Sequence, residues 1–177
     1  MNIRASGKLD FESVKALSHL CIFGKKDPEK AMVYYTVICA VLFAFAIFIT
    51  VFFGINFIAV FTAVCSICVC ALQCFFYFII PRLRYNALSK VKDSVNEYLF
   101  SDNAFYVSAE TDMYKGKSEI KYSVIVKVSE TKRYIFIYQT KSMVYIVDKF
   151  SLSDESTEEL RKKLLSVIGK NYILYSY

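Results

Sequence analysis

The chain has 177 residues, a formal net charge of +6 and 56% hydrophobic residues, with five glycines and six cysteines. Five of the cysteines lie in residues 31–81. This stretch contains no Asp, Glu, Lys, Arg or His, so the hydrophobic percentage of the whole chain averages a membrane-type segment with a more polar remainder. Basic residues commonly flank membrane segments, and no basic run is interleaved with aromatic residues, which weighs against a nucleic-acid partner.

We expect residues 1–27 to form a cytosolic segment with one short amphipathic helix. Residues 1–9 are polar and predict a loosely ordered start. Asp10 can cap a helix over residues 11–22, because its carboxylate can accept the free backbone N–H groups of the first turn. A helix this short needs a surface to pack on, either the lipid headgroups or the C-terminal domain. The apolar positions at helical spacing are Phe11, Val14, Leu17 and Cys21.

Residues 28–84 predict a transmembrane helical hairpin. Two apolar runs, about 31–53 and 57–80, each supply the roughly 20 helical residues that cross the hydrocarbon core of a bilayer. Gly54-Ile55-Asn56 between them suits a tight reversal. This turn is uncharged and both outer flanks are basic, so the positive-inside rule predicts a multi-pass plasma-membrane protein with both termini in the cytoplasm. The flanking basic residues are Lys25, Lys26, Lys30, Arg82 and Arg84.

Small residues predict where the two membrane helices touch, since lipid offers no hydrophobic drive for helix association. The predicted contact faces are Thr36, Ala40 and Ala44 on the first helix, and Ala59, Ala63, Ser66 and Cys70 on the second. Gln73 is the one strongly polar side chain in the span. It suits either a pore or substrate contact, or else a hydrogen bond between the helices or a position near the membrane interface. We favour the second pair of readings because two helices alone cannot enclose a pathway and no ionisable residue lines one.

A cluster of cysteines in the second membrane helix suggests metal binding or redox chemistry at first reading. A zinc site needs four ligands in a polar setting, whereas these thiols face different sides of a membrane helix. We therefore interpret them as small hydrophobic side chains and expect no metal site and no cofactor. The cluster is Cys65, Cys68, Cys70 and Cys74.

Residues 85–177 predict a cytosolic domain that begins with a helix over 85–100, where Ala87, Val91, Val95 and Leu99 recur at helical spacing. From Ser101 the pattern alternates with a period of two, which is typical of strands joined by short polar hairpin loops. A final helix is capped by Ser153 or Asp154 and closed by Gly169. The predicted strands are 104–110, 117–122, 123–130, 133–139 and 142–148, and the aromatic tail 171–177 suits one more.

The order of these elements resembles the YcxB-like family, the C-terminal domain of small bacterial membrane proteins. A proline often precedes the family's lysine at the position of Lys149, where this chain has Asp148. The resemblance implies a pleckstrin-homology-type fold, a bent antiparallel sheet closed by a C-terminal helix, and brings no established activity. The residues that carry it are Phe105-Tyr106-Val107, the segment Ile120 to Glu130, the strand Arg133 to Tyr138, and Tyr145 to Phe150.

The sequence thus predicts an α+β membrane protein: a two-helix transmembrane hairpin with a small cytosolic antiparallel β domain, PH-like and closed by a helix. We expect a membrane-anchored, non-enzymatic interaction or regulatory module whose partners are the lipid bilayer and either another protein or a second copy. Five glycines leave little material for a phosphate-binding loop, and no Ser-His-Asp arrangement or paired carboxylate is evident, so no catalytic residue is predicted.

Two further functions stay open. The β domain suits a sensor of anionic lipid or a small ligand, because each basic residue near an anionic leaflet contributes about 1 kcal/mol. A more remote alternative is a subunit of a transporter or membrane enzyme. The candidate membrane-surface or partner contacts are Lys115, Lys117, Lys121, Lys132, Arg133 and Lys141.

Overall fold

The computed structural model describes residues 2–89, 91–111, 114–140 and 142–177, and for residues 110, 111, 114 and 115 it describes the backbone alone. The chain forms two compact units. The first, called the β unit, consists of Met1–Leu17 and Tyr85–Tyr177. The second, called the helical unit, is Ser18–Arg84. The chain therefore leaves the β unit once and returns to it once.

Two long apolar helices dominate the helical unit. Asp27 accepts hydrogen bonds from the backbone N–H groups of Glu29 and Lys30, which confirms the predicted helix start. Gly54 ends the first long helix with a φ of 72°, and the Asn56 side chain caps the second. Both helices are long and apolar enough to cross a membrane. The helices are α1 (Phe11–Phe23), α2 (Pro28–Phe53), α3 (Phe57–Cys74), a π-helical turn (Phe75–Ile79) and α4 (Ile80–Ala87).

The face by which α2 meets α3 differs from the prediction. Cys39 and Ala46 are buried, whereas the predicted contact residues Thr36, Ala40 and Ala44 are exposed. Positions 39 and 46 lie one heptad apart, and two helices crossing at a shallow angle return to the same face after each heptad. Small residues occur on two sides of α2, so their spacing alone could not select the buried side. On α3 the predicted face is confirmed at Ala59 and Ser66.

The hairpin contact brings two thiols near each other. Ser66 Oγ donates a hydrogen bond of 2.8 Å to the carbonyl oxygen of Cys39. Cys70 lies one turn beyond Ser66, close enough for its thiol to interact with that of Cys39. The pairing of α2 with α3 can therefore be tested by a cross-link.

Mild oxidation with copper phenanthroline is expected to join Cys39 to Cys70 within one chain, because these free thiols are neighbours across the contact of α2 with α3. Mass spectrometry of the digested protein identifies the linked peptides. Cys70→Ser should abolish the link and Cys68→Ser, a change at an exposed thiol of the same helix, should leave it intact. Failure of the wild-type chain to form this link would contradict the observed helix pairing.

The strands of the β unit are β1 (Ile3–Lys8), β2 (Val95–Phe100), β3 (Ala104–Thr111), β4 (Tyr114–Lys121), β5 (Lys127–Glu130), β6 (Tyr134–Tyr138), β7 (Val144–Asp148) and β8 (Tyr172–Leu174). They form two four-stranded sheets, with strand orders β1-β2-β3-β4 and β7-β6-β5-β8. Among the described strands every pairing is antiparallel except that of β5 with β8. Helix α5 (Asp154–Ile168) follows β7, so the α+β class with antiparallel sheets and a C-terminal helix is confirmed.

The first strand corrects the prediction of a loosely ordered N-terminus. Strand β1 pairs along its whole length with β2, from Ile3 opposite Phe100 to Lys8 opposite Val95. The chain before the apolar hairpin and the chain after it therefore form adjacent strands. Polar side chains at residues 4, 6 and 8 alternate with inward-facing positions, a strand pattern too short to recognise without its partner.

The predicted helix over 85–100 is wrong beyond Ala87. Helix α4 ends there, Asp93 adopts a left-handed φ of 61°, and β2 follows. The apolar residues at helical spacing, such as Val91 and Val95, are exposed, while Tyr98 and Phe100 are buried with the period of a strand. Tertiary packing thus overrode an ambiguous local pattern, because the aromatic side chains had more surface to bury.

Both sheets and α5 share one core. Phe100, Phe105 and Ile135 have no exposed surface, and Leu160 and Leu164 of α5 are equally buried against them. The helix begins where Ser153 accepts a hydrogen bond from the Ser156 N–H group, and it ends at Gly169 with a φ of 58°. Fully burying one such apolar side chain contributes about 1.5–3 kcal/mol, so α5 is held mainly by its apolar stripe.

Strand β1 also touches the second sheet. Ser151, just after β7, accepts a hydrogen bond of 2.9 Å from the Ser6 N–H group and donates one of 3.1 Å to the Ser6 carbonyl oxygen. At Gly7 the two backbones come so close that any Cβ would collide with the carbonyl group of Ile146. Glycine is required here by close approach of another strand and not by its own backbone angles.

Candidate functional site: the Glu130 cluster and the edge of strand β5

Glu130 lies at the end of β5, and its side chain has no exposed surface. Lys149 Nζ donates a hydrogen bond of 2.7 Å to Oε1, and Arg161 Nε donates one of 2.9 Å to Oε2. A second Arg161 nitrogen bonds Oε1, and the Tyr172 hydroxyl donates to Oε2. Three residues from three other parts of the β unit therefore converge on one carboxylate. We call Glu130 and these three residues the Glu130 cluster.

The protonation of Glu130 follows from these contacts. Burial by itself would raise the pKa of the carboxyl group, but hydrogen bonds from Arg161, Lys149 and Tyr172 outweigh burial and lower the pKa to about 2. Burial, together with the bond to Glu130, raises the pKa of Tyr172. At neutral pH the cluster is thus a fixed anion held by two cations and a neutral phenol.

The fold brings the cluster together from residues far apart in sequence. Arg161 extends from α5, Lys149 from the 3-10 turn after β7, and Tyr172 from β8. In the sequence Glu130 is indistinguishable from a polar loop residue, and Arg161 from the exposed side of an amphipathic helix. No local signal marks them, because the partners of Glu130 lie 19, 31 and 42 positions away.

Residues 172–177, called the strap, lie along the edge of β5. Val128 pairs with Tyr172 and Glu130 with Leu174, in a parallel register. Two further backbone hydrogen bonds extend the contact: Tyr175 N–H donates to the Glu130 carbonyl oxygen at 2.7 Å, and Lys132 N–H donates to the Tyr177 carbonyl oxygen at 3.0 Å. The predicted tail strand is therefore present, and it completes the second sheet.

The six predicted basic contacts do not form one described patch. Lys117 is exposed and lines a cleft of about 760 Å³ on the outer face of the first sheet, together with Arg4 and Glu97. Lys121 is exposed at the last position of β4, opposite Ala104 and four residues from Lys117. The side chain of Lys115 and the whole of Lys141 lie outside the described residues.

Lys132 and Arg133 are brought together in the turn between β5 and β6, and both are exposed. Arg133 is already engaged: its guanidinium lies 3.2 Å from an Asp148 carboxylate oxygen and 5.3 Å from the centre of the Phe150 ring. Phe150 is 79% exposed. This corner thus presents an aromatic ring beside a neutralised cation, and Lys132 supplies the remaining positive charge.

In the helical unit the structure offers little ligand chemistry. Within the described ranges no group of three or more His, Cys, Asp or Glu side chains could hold a metal ion. Cys68 and Cys74 are exposed, while Cys65 and Cys70 are half-buried, as expected for thiols on different faces. Gln73 Nε2 is buried and has no hydrogen-bond partner among the described residues, so this nitrogen donates no bond between the helices.

Comparison with known proteins identifies the region that carries the cluster. Residues 100–164 match the family model described as YcxB-like protein. The match follows the two long apolar helices and confirms the resemblance seen in the sequence. It includes Glu130, Lys149 and Arg161, whereas Tyr172 and the strap lie beyond it. No curated protein and no solved structure matches the chain.

Proposed function

We propose that this protein, built around the YcxB-like domain at residues 100–164, is a membrane-anchored, non-enzymatic interaction or regulatory module. One observation carries the proposal: the hairpin presents large apolar side chains that no described part of the chain covers. Val51, Phe53, Ile55 and Phe57 are 73%, 74%, 84% and 80% exposed. Such a surface is stable in lipid and aggregates in water, so the hairpin is the anchor and the β unit is the working part.

The hairpin spans the plasma membrane with both termini in the cytoplasm. The turn at 54–56 carries no charge, whereas Lys25, Lys26 and Lys30 precede the hairpin and Arg82 and Arg84 end it. Positively charged flanks are retained on the cytoplasmic side. The β unit is therefore tethered to the inner leaflet by two covalent connections.

The β unit has a pleckstrin-homology-type fold. In support, a four-strand antiparallel meander is followed by a three-strand antiparallel meander and then by one helix that buries Leu160 and Leu164 in the shared core. The fold class carries no function by itself. It does supply exposed strand edges, which are common sites of peptide addition.

The chemistry of the Glu130 cluster supports a structural role. A general base works best with a pKa near the working pH, and the pKa of Glu130 is about 2. Its oxygens are also occupied by Arg161, Lys149 and Tyr172. The cluster joins α5 and β8 to the sheet, and it leaves the carboxylate no free position for a substrate proton.

A protein partner is better supported than an anionic lipid. Lipid headgroups would be attracted by several unpaired cations on one face. Exposed Glu119 lies between Lys117 and Lys121 on the same face of β4, and Arg133 is paired with Asp148. Because carboxylates are interspersed among these cations, we assign the anchoring role to the hairpin alone.

The topology is tested by cysteine labelling in intact cells, in a background with the six native cysteines replaced by alanine. A thiol introduced as Asn56→Cys is expected to react with a membrane-impermeant maleimide. A thiol introduced at exposed Ser123 should react only after permeabilisation. The reverse pattern would overturn the orientation. Cross-linking in native membranes should then recover the protein with a partner, and recovery of this chain alone would count against an interaction module.

A further inference from the structure

We propose that the edge of β5 is a strand-addition site for a partner protein, and that the strap (residues 172–177) is its resident, exchangeable occupant. This inference rests on the proposed interaction function and names the kind of partner that it serves. The partner contributes an extended segment with two tyrosines in the spacing Tyr-x-x-Tyr. That segment lies parallel to β5, as the strap does.

The strap already binds as a peptide ligand would. Its backbone satisfies the edge of β5 from Val128 to Lys132, through the β5–β8 pairing and the two hydrogen bonds beyond it. Two side chains supply the specific contacts. The Tyr172 hydroxyl donates to Glu130, and Tyr175 is buried with 7% exposure. Main-chain bonds for affinity and alternate pockets for specificity are the pattern of peptide recognition by strand addition.

Three features make the strap exchangeable. Strand β8 has only three residues, and its parallel pairing is less stable per residue than an antiparallel one. Leu174 is 64% exposed, so part of the strap contributes little burial. Gly169, with a φ of 58°, marks the end of α5, so the strap can leave without unwinding the helix.

The β unit does not need the strap to satisfy its buried charge. When Tyr172 leaves, Glu130 still has Lys149 at 2.7 Å and Arg161 Nε at 2.9 Å. The buried core consists of side chains from β1 to β7 and α5 and the connection before β5, with Tyr172 packed at its margin. The family match also ends at residue 164, before the strap. Release of the strap therefore exposes the backbone edge of β5 and leaves no buried ion unpaired.

The chemistry of the edge selects the incoming side chains. The group that reaches Glu130 must be a hydrogen-bond donor, because a carboxylate or phosphate there would face an ionised carboxylate. A tyrosine hydroxyl meets this condition, and a second aromatic ring three positions later fills the place of Tyr175. The Leu174 side chain is exposed to solvent, so the partner segment needs no particular side chain at this position.

The test uses the full chain in lipid nanodiscs and a fluorescent peptide with the sequence of residues 170–177. The double substitution Tyr172→Ala with Tyr175→Ala should loosen the strap, so that the chain binds the peptide about tenfold more tightly than the wild type. The matched control Leu174→Ser, at an exposed position of the same strand, should bind as the wild type does. A peptide with both tyrosines replaced by alanine should not bind.

Equal binding of the peptide by the loosened and wild-type chains would overturn the proposal, as would equal binding of the two peptides. If the double variant fails to fold, hydrogen exchange of the wild type decides instead. The amide protons of Lys132 and Tyr175 should exchange about tenfold faster than those in the interior of β6. Equal protection would exclude a separately opening strap. If the peptide does not exchange with the strap, the strand-addition proposal fails, but the protein can still bind a partner through another surface. If no partner is recovered from membranes, the proposed interaction function fails, but peptide exchange at the edge of β5 can still be measured.

Discussion

Replacing Glu130 by alanine is expected to lower the free energy of unfolding of the β unit by about 3–5 kcal/mol, the cost of removing one partner from a buried ion pair. The substitution leaves Lys149 and Arg161, whose side chains are only 17% and 25% exposed, without their shared anion. Denaturant unfolding in detergent micelles, followed through the near-ultraviolet signal of the buried tyrosines, measures the change.

A second carboxylate on the same arginine provides the control. Glu158 also pairs with Arg161, but its side chain is 56% exposed. Exposed ion pairs contribute about 0–1 kcal/mol, so Glu158→Gln should have a small effect. A loss from Glu158→Gln as large as that from Glu130→Ala would show that burial is not the source of the stability.

The same contact predicts an acid dependence. Folding lowers the pKa of Glu130 from its ordinary value of 4.5 to about 2, so its contribution is fully present above pH 4.5 and is lost as the pH falls toward 2. The stability difference between the wild type and Glu130→Ala should therefore shrink over this window. A difference that stays constant down to pH 2 would contradict the pKa shift.

Removing residues 1–9 is expected to destabilise the β unit by at least about 3 kcal/mol, because a buried isoleucine alone contributes about 1.5–3 kcal/mol. Ile3 and Ala5 are 5% and 7% exposed, and the deletion would also open the edge of β2 and uncover Tyr98 and Phe100. Limited proteolysis of the membrane-embedded chain measures the loss as faster cleavage within residues 95–138.

A point substitution tests the same strand without a deletion. Gly7→Ala should act in the same direction, since its Cβ collides with the Ile146 carbonyl group and β1 must move away from β7. Arg4→Ala, an exposed neighbour in the same strand, should be nearly neutral. If the Gly7→Ala chain is cleaved no faster than the wild type, β1 is not required for the stability of the β unit.

The position of β1 also decides which fragment can fold. A fragment of residues 86–177 lacks the outer strand of the first sheet, whereas residues 1–17 joined to 85–177 restore it. Ser18 and Arg84, the first and last residues of the helical unit, are joined by a hydrogen bond of 3.4 Å from Arg84 Nη1 to Ser18 Oγ, so a short flexible linker can replace the hairpin. Binding studies on a soluble β unit should therefore use the joined form.

The sequence by itself determined the features that depend on neighbours in the chain. The uncharged run from Ala31 to Pro81, the Asp27-Pro28 helix start and the turn at Gly54 were predictable, because hydrophobic length and capping are local. The alternation after Ser101 and the acidic start of α5 were predictable for the same reason, as was the resemblance to the YcxB-like family at residues 100–164.

Only the tertiary structure decided which distant segments meet. Strand β1 pairs with β2 across the entire hairpin, and the Glu130 cluster joins residues from β5, the turn after β7, α5 and β8. The hydrophobic periodicity of the sequence does not encode such contacts, because whether each of these side chains is buried depends on a partner far away in the sequence. The physical reason is burial: a carboxylate at the end of a strand is an ordinary loop residue in water, and it becomes a buried contact between distant segments when two cations and a phenol enclose it.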